Sequence, residues 1–134
     1  GATGFGLALK GGLIGVARAA EAAPKPPHRK VKTTRLFKAP EGFPNGIAVH
    51  PDGKRVFVSN GRDGSVMAID VASHRVLATL PVGKRPWNMA LTPDGAKLYV
   101  ANGRSGSVSV IDTAALQKLT DIQVGELPWG VTIR

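Results

Sequence analysis

The sequence runs to 134 residues, 43% of them hydrophobic, with no cysteine and a formal net charge of +9. That length suits one domain, and a sequence without cysteine excludes a disulfide framework, a thiolate metal site and a thiol nucleophile. The charge would suggest nucleic acid if it were spread evenly, but eight of the eighteen Lys and Arg fall in residues 1–40 against one acid, Glu21. The remaining ten basic residues face eight acids, so no nucleic-acid partner is expected. No apolar run reaches the ~18 residues needed for a transmembrane helix.

Residues 1–23 read as a truncated export signal. Phe5 to Ala17 is mildly apolar and rich in Gly and Ala, and it leads to Ala17-Arg18-Ala19 and Ala20-Glu21-Ala22, small-residue sites of the kind signal peptidase accepts. The beginning Phe5-Gly6-Leu7-Ala8-Leu9 resembles the middle of a twin-arginine signal, which implies a periplasmic or secreted protein. A short amphipathic helix is the competing expectation for this stretch, disfavoured by Lys10 and the Gly11-Gly12 pair. Gly1-Ala2-Thr3-Gly4-Phe5-Gly6 has the glycines of a dinucleotide loop, but no strand precedes it and no βαβ unit follows. Residues 24–33 are a Pro/Lys-rich, extended linker, with His28 a solvated side chain within it.

Residues 34–134 are repetitive. Pro44, Pro86 and Pro128 stand 42 residues apart, and at the same offset Pro51-Asp52-Gly53 returns as Pro93-Asp94-Gly95. Phe57-Val58-Ser59-Asn60-Gly61-Arg62 likewise returns as Tyr99-Val100-Ala101-Asn102-Gly103-Arg104. Within each unit four short Val-, Ile- and Leu-rich runs are bounded by Gly, Pro, Asp or Asn, which predicts strands separated by tight turns. In Pro-Asp-Gly the proline presets φ, the aspartate bonds to the backbone beyond it and the glycine accepts φ > 0; Asp52, Gly53, Asp94 and Gly95 are therefore structural turn residues. Asn60-Gly61 and Asn102-Gly103 are expected to close the next connection similarly. Four strands in 42 residues describe one β-propeller blade, whose usual repeat is about 40–45 residues.

The fold expectation is all-β. It comprises two complete four-stranded antiparallel blades, residues 44–80 and 86–122, and a flanking strand on each side, at Thr33 to Ala39 and at the start of a third blade in 128–134. Two blades cannot close a ring, which typically takes 4–8. The expectation is thus a partial or truncated propeller, or one completed by self-association.

Tyr99-Val100-Ala101-Asn102 and Phe57-Val58-Ser59-Asn60 resemble the signature tetrapeptide of YVTN-family β-propeller repeats. Val108-Ser109-Val110-Ile111-Asp112-Thr113 is similar to the flanking pattern. A shorter stretch, around residues 35–49, resembles SMP-30/gluconolactonase-like propellers. The resemblance implies cell-surface or periplasmic binding scaffolds, with lactonases and redox enzymes among related propellers.

By analogy with such propellers, the loops after the second strands and the blade connections emerge on one face. Arg62, Lys84, Arg85 and Arg104 would then form a basic rim near Trp87, Asn88 and Trp129, suited to a protein or a small anionic ligand. The alternative is that the charges are solvated turn residues and the indoles pack between blades. No catalytic set is legible: His50 aligns with Thr92 and His74 with Leu116, so both histidines are read as loop residues. The sequence therefore points to an exported, non-catalytic binding or scaffold module with no cofactor or metal. One alternative is a fragment of a lactonase- or SMP-30-like hydrolase using a divalent metal such as Ca²⁺. Another is a propeller partner of a periplasmic redox enzyme.

Overall fold

The computed structural model describes residues 7–9, 12–14 and 43–134. Contacts divide the chain into two units, Gly1–Thr34 and Arg35–Arg134. In the first, β1 (Leu7–Leu9) and β2 (Gly12–Ile14) form an antiparallel hairpin with Leu7 opposite Ile14. These strands stand where the competing reading of the leader had a helix. The expected signal-peptidase sites, the expected linker and the strand expected at Thr33 to Ala39 lie outside the described residues.

In the second unit the described strands make two four-stranded antiparallel sheets, each a simple meander. The first runs β3 (Pro44–Val49), β4 (Arg55–Asn60), β5 (Ser65–Asp70) and β6 (Val76–Pro81). The second runs β7 (Pro86–Leu91), β8 (Lys97–Asn102), β9 (Ser107–Asp112) and β10 (Gln117–Gln123). These are the two expected blades. Trp129 to Ile133, expected to open a third, forms no strand. A strand exists only with a hydrogen-bonded neighbour, and the described residues provide none for it.

Side chains alternate across each strand, and one face of the first blade meets one face of the second. Phe57, Val66, Ala68 and Leu80 pack with Met89, Leu98, Val100 and Ile111 in a single buried cluster. Innermost strands β3 and β7 lie side by side, while the outer strands β6 and β10 barely meet, so the blades splay from the inner edge outward. The opposite face of the first blade buries Val58, Met67 and Ile69.

Local chemistry sets the turns. The Gly53 N–H donates to His50 O at 2.9 Å and the Lys54 N–H to Asp52 Oδ1 at 2.8 Å. The second blade repeats this, with Gly95 to Thr92 O at 2.8 Å and Ala96 to Asp94 Oδ1 at 3.0 Å. Gly53 and Gly95 sit at φ 69° and 74°, as the Pro-Asp-Gly pattern requires. The Asn-Gly expectation is corrected: the left-handed residues are Gly64 and Gly106, at φ 64° and 62°, three residues further on. Gly61 and Gly103 serve close approach instead. A Cβ on Gly61 would collide with the Asn45 side-chain amide, and one on Gly103 would stand 2.8 Å from the Trp87 indole.

The turn carboxylates are held below their ordinary range by hydrogen bonds to the ionised form. For Asp52 the main cause is the Lys54 N–H, and for Asp94 the Thr92 hydroxyl followed by the Ala96 N–H. Asp70 is lowered chiefly by the Ser73 hydroxyl, and Asp121 by Lys118 and then Ser109. A depressed folded-state value contributes stability that is complete above the unfolded carboxylate range, about pH 4, and is lost as pH falls through the folded values. Urea midpoints are therefore expected to drop on acidification below about pH 4, and Asp94→Asn to flatten part of that slope. An unaltered slope in the variant would remove Asp94 from this account.

Candidate functional site

The connection from β6 to β7, Val82 to Arg85, is fastened to loops of both blades. The Val82 N–H donates to Gly64 O at 2.8 Å. On the other side, Gly103 and Arg104 donate their N–H groups to Arg85 O and Lys84 O, each at 3.0 Å, and the Lys84 N–H reaches Ser105 Oγ at 2.6 Å. These bonds bring the connection and the loops after β4 and β8 onto one face.

Arg62, Lys84, Arg85 and Arg104 are exposed on it. Arg62 lies over the Phe43 ring at 4.9 Å and Arg85 over the Trp87 indole at 5.1 Å, cation–π geometries that hold each guanidinium without neutralising it. Among the described residues, none of the four is ion-paired; the pairs there are His50–Asp52, Arg55–Asp52 and Lys118–Asp121. Trp87 and Trp129 touch, with ring centroids 5.0 Å apart and planes inclined by 42°. Trp129 is 66% exposed. Asn88 stands apart: it lies beside Gly130 and lines none of the hollows of this face.

Three hollows open here. One of about 860 Å³ is lined by Arg62, Asp63, Lys84, Arg85 and Arg104 with Phe43 and Asn45. Another, about 960 Å³, runs along Lys84, Arg104, Gln123, Glu126 and Leu127. A small one of about 150 Å³ lies between Arg85, Trp87, Gly103, Arg104, Leu127 and Trp129.

Beneath the face the motif asparagines are fully buried. Asn102 Nδ2 donates to Ser109 Oγ at 2.8 Å and Ser107 Oγ at 3.2 Å, tying β8 to β9, and Asn60 Nδ2 reaches Ser65 Oγ at 3.3 Å. Among the described residues their Oδ1 atoms have no partner.

A second polar cluster escaped the sequence reading. His50 stands in the β3–β4 loop, as expected, but its side chain is a contact between blades, with only 11% of it exposed. Its Nε2 lies 3.1 Å from Gly95 O and its Nδ1 2.8 Å from Asp52 Oδ1. Arg55 Nη2 lies 3.2 Å from the same Nε2, and Arg55 Nη1 donates to Thr113 O of the second blade. Nearer the inner edge, Ser59 Oγ donates to Trp87 O at 2.7 Å and Asn45 Nδ2 to Pro86 O at 2.9 Å. In the second blade Thr92, Lys97 and Ala101 replace His50, Arg55 and Ser59. That difference at the 42-residue offset was the available signal: residues that break a repeat mark where one particular pair of blades meets.

No three His, Asp or Glu side chains converge among the described residues. No described helix is long and apolar enough to cross a membrane.

The stacked meanders with a loop face at one end define a segment of a β-propeller, of the class that includes WD40 domains. The chain belongs to the lactonase, 7-bladed β-propeller family, whose model matches residues 26–129. No curated protein matches the sequence. Among solved structures, the hydrazine synthase of Kuenenia stuttgartiensis superposes with a TM-score of 0.64 at 38% identity, over 78% of this chain and 28% of that one. A functionally unknown protein from Desulfotomaculum acetoxidans gives 0.64 at 22% identity over 72% and 33%. The RRP9 WD40 repeats give 0.62 at 21% over 67% and 28%. The chain thus spans about a third or less of each of these proteins.

Proposed function

We propose that the chain is an exported propeller module of the YVTN type whose loop face binds an anionic ligand, or an acidic segment of a partner protein, and carries out no reaction itself. The observation that supports this is the gathering of four cations on one face, two of them (Arg85 and Arg104) beside a pair of touching indoles, with no carboxylate of the described residues paired to any of the four. Guanidinium groups bind carboxylate or phosphate through paired N–H donors, and an indole beside them supplies apolar area. Oligoglutamate is the probe. Binding is expected to weaken as salt rises, since exposed charges are screened. Arg62→Gln combined with Arg104→Gln is expected to cost roughly tenfold or more in affinity, the scale of lost charge-assisted hydrogen bonds. Unchanged affinity in calorimetric titration of the double variant would remove the face from consideration.

The family match favours a second reading, a segment of a lactone hydrolase. Turnover in a lactone screen that depends on added Ca²⁺, with metal binding by calorimetry, would establish that reading over the first. The 38% identity to a hydrazine synthase chain supports a related role, in which the module serves a larger enzyme assembly. Retention of a catalytic partner from periplasmic extract would demonstrate it.

A further inference from the structure

The lining of all three hollows is net positive, but they differ in whether a carboxylate shares it. The two large ones include carboxylates, Asp63 in one and Glu126 in the other. Among the described residues the small one has none: it is lined by Arg85, Arg104, Trp87, Trp129, Leu127 and Gly103, with the Arg85 guanidinium over the Trp87 indole. Its volume, about 150 Å³, matches that of an apolar protein cavity known to admit one benzene molecule, ~150 Å³. The indoles are already in contact at 5.0 Å and inclined by 42°, so they form an angled floor, not a slot between parallel plates. A ring bound here would lie on Trp129, which has the open surface.

The floor is fixed from below. A Cβ on Gly103 would come within 2.8 Å of Trp87 Cδ1 and Nε1, so the indole rests directly on main chain. Arg85 holds φ at 55°, a conformation that disfavours most side chains and that glycine adopts freely. Leu127, its equivalent one repeat later, holds 50° on the opposite wall. Arginine at such a position places its charge above the indole, and backbone strain of this kind is commonly retained near ligand sites.

We infer that this cleft is a subsite for a small planar aryl carboxylate, with the ring on the two indoles and the carboxylate between Arg85 and Arg104. The inference rests on the anion-binding reading of the face and adds a ligand class to it.

Both tryptophans of the sequence line the cleft, so their indole Nε1–H signals in NMR report on it directly. The experiment titrates the 134-residue chain with benzoate, acetate and benzyl alcohol in parallel. Benzoate is expected to shift both signals saturably, with acetate and benzyl alcohol each at least roughly tenfold weaker, since each lacks one of the two contributions. Arg104→Gln and Arg85→Gly are each expected to weaken benzoate by roughly tenfold. The glycine variant suits the backbone already present, so loss of binding there is not loss of fold. Trp129→Ala, at an exposed position, is expected to weaken benzoate several-fold while leaving acetate unchanged. If acetate equals benzoate, the ring subsite is refuted while the anionic face stands. If no probe moves either indole signal and oligoglutamate also fails to bind, both readings fall. Benzoate binding that survives both arginine substitutions would also overturn the subsite.

Discussion

Phe57→Ala is expected to destabilise both blades together, by about 3–5 kcal/mol, the usual range for removing a fully buried phenylalanine. Phe57 has no exposed surface, and its ring lies in the one cluster that includes side chains from both sheets. Its loss would leave a cavity in the cluster that it shares with Leu98, Val100 and Ile111 of the other blade. A loss of that size is a large part of the 5–15 kcal/mol by which domains are normally stable. The check uses the placement of the fluorophores: the Trp87 and Trp129 indoles touch each other and Trp87 packs on Gly103, so fluorescence reports first on the second blade, which the first touches through the Trp87 carbonyl. Urea unfolding followed by fluorescence should shift as far as unfolding followed by circular dichroism. A fluorescence midpoint that stays in place would mean that the blades unfold independently and that the shared cluster does not couple them.

The second large effect concerns two turns that look alike in sequence. Gly53→Val is expected to cost about 1–2 kcal/mol, the penalty for a non-glycine residue in the left-handed region. Gly95→Val should cost roughly 3 kcal/mol or more, because an overpacking term adds to the same backbone penalty. The difference lies in what surrounds each turn. Around Gly53 a Cβ meets nothing within 4 Å, whereas at Gly95 it would stand 2.5 Å from His50 Nε2 and 2.9 Å from Pro51 Cδ. Shortening His50 to alanine in the Gly95→Val background should recover part of the loss, since the imidazole is the nearest obstacle. Equal urea midpoints for the two single valine variants would contradict the packing of His50 onto the second blade.

These two predictions separate what residues specify locally from what contact between blades specifies. Pro-Asp-Gly marked both turns, and the carboxylate bonds to Lys54 and Ala96 follow from it. The apolar runs marked all eight strands of the two blades, because a short stretch of β-branched residues between turn formers has few other ways to fold. The Asn-Gly pairs misled, since the same dipeptide serves a tight turn or a close approach, and Gly61 and Gly103 are used for the second. His50 looked like a loop residue because it follows a strand and precedes Pro51. It is one, but the contact that takes its side chain off the surface, with the Gly95 carbonyl at 3.1 Å, comes from a residue 45 positions away.

For the candidate site the division is similar. The shared face of Arg62, Lys84, Arg85 and Arg104 was expected by analogy with propellers that the repeats resemble, and the structure brings the four together. The inclination of the two indoles, the separate placement of Asn88 and the hollow without carboxylates did not. By itself, then, the sequence determined the blade: its strands, its turns and its 42-residue period, all of which depend on neighbours along the chain. Tertiary structure alone decided how one blade meets the next, because those bonds join residues roughly a whole repeat apart. At such separations, packing and the need to satisfy buried polar groups choose the partners.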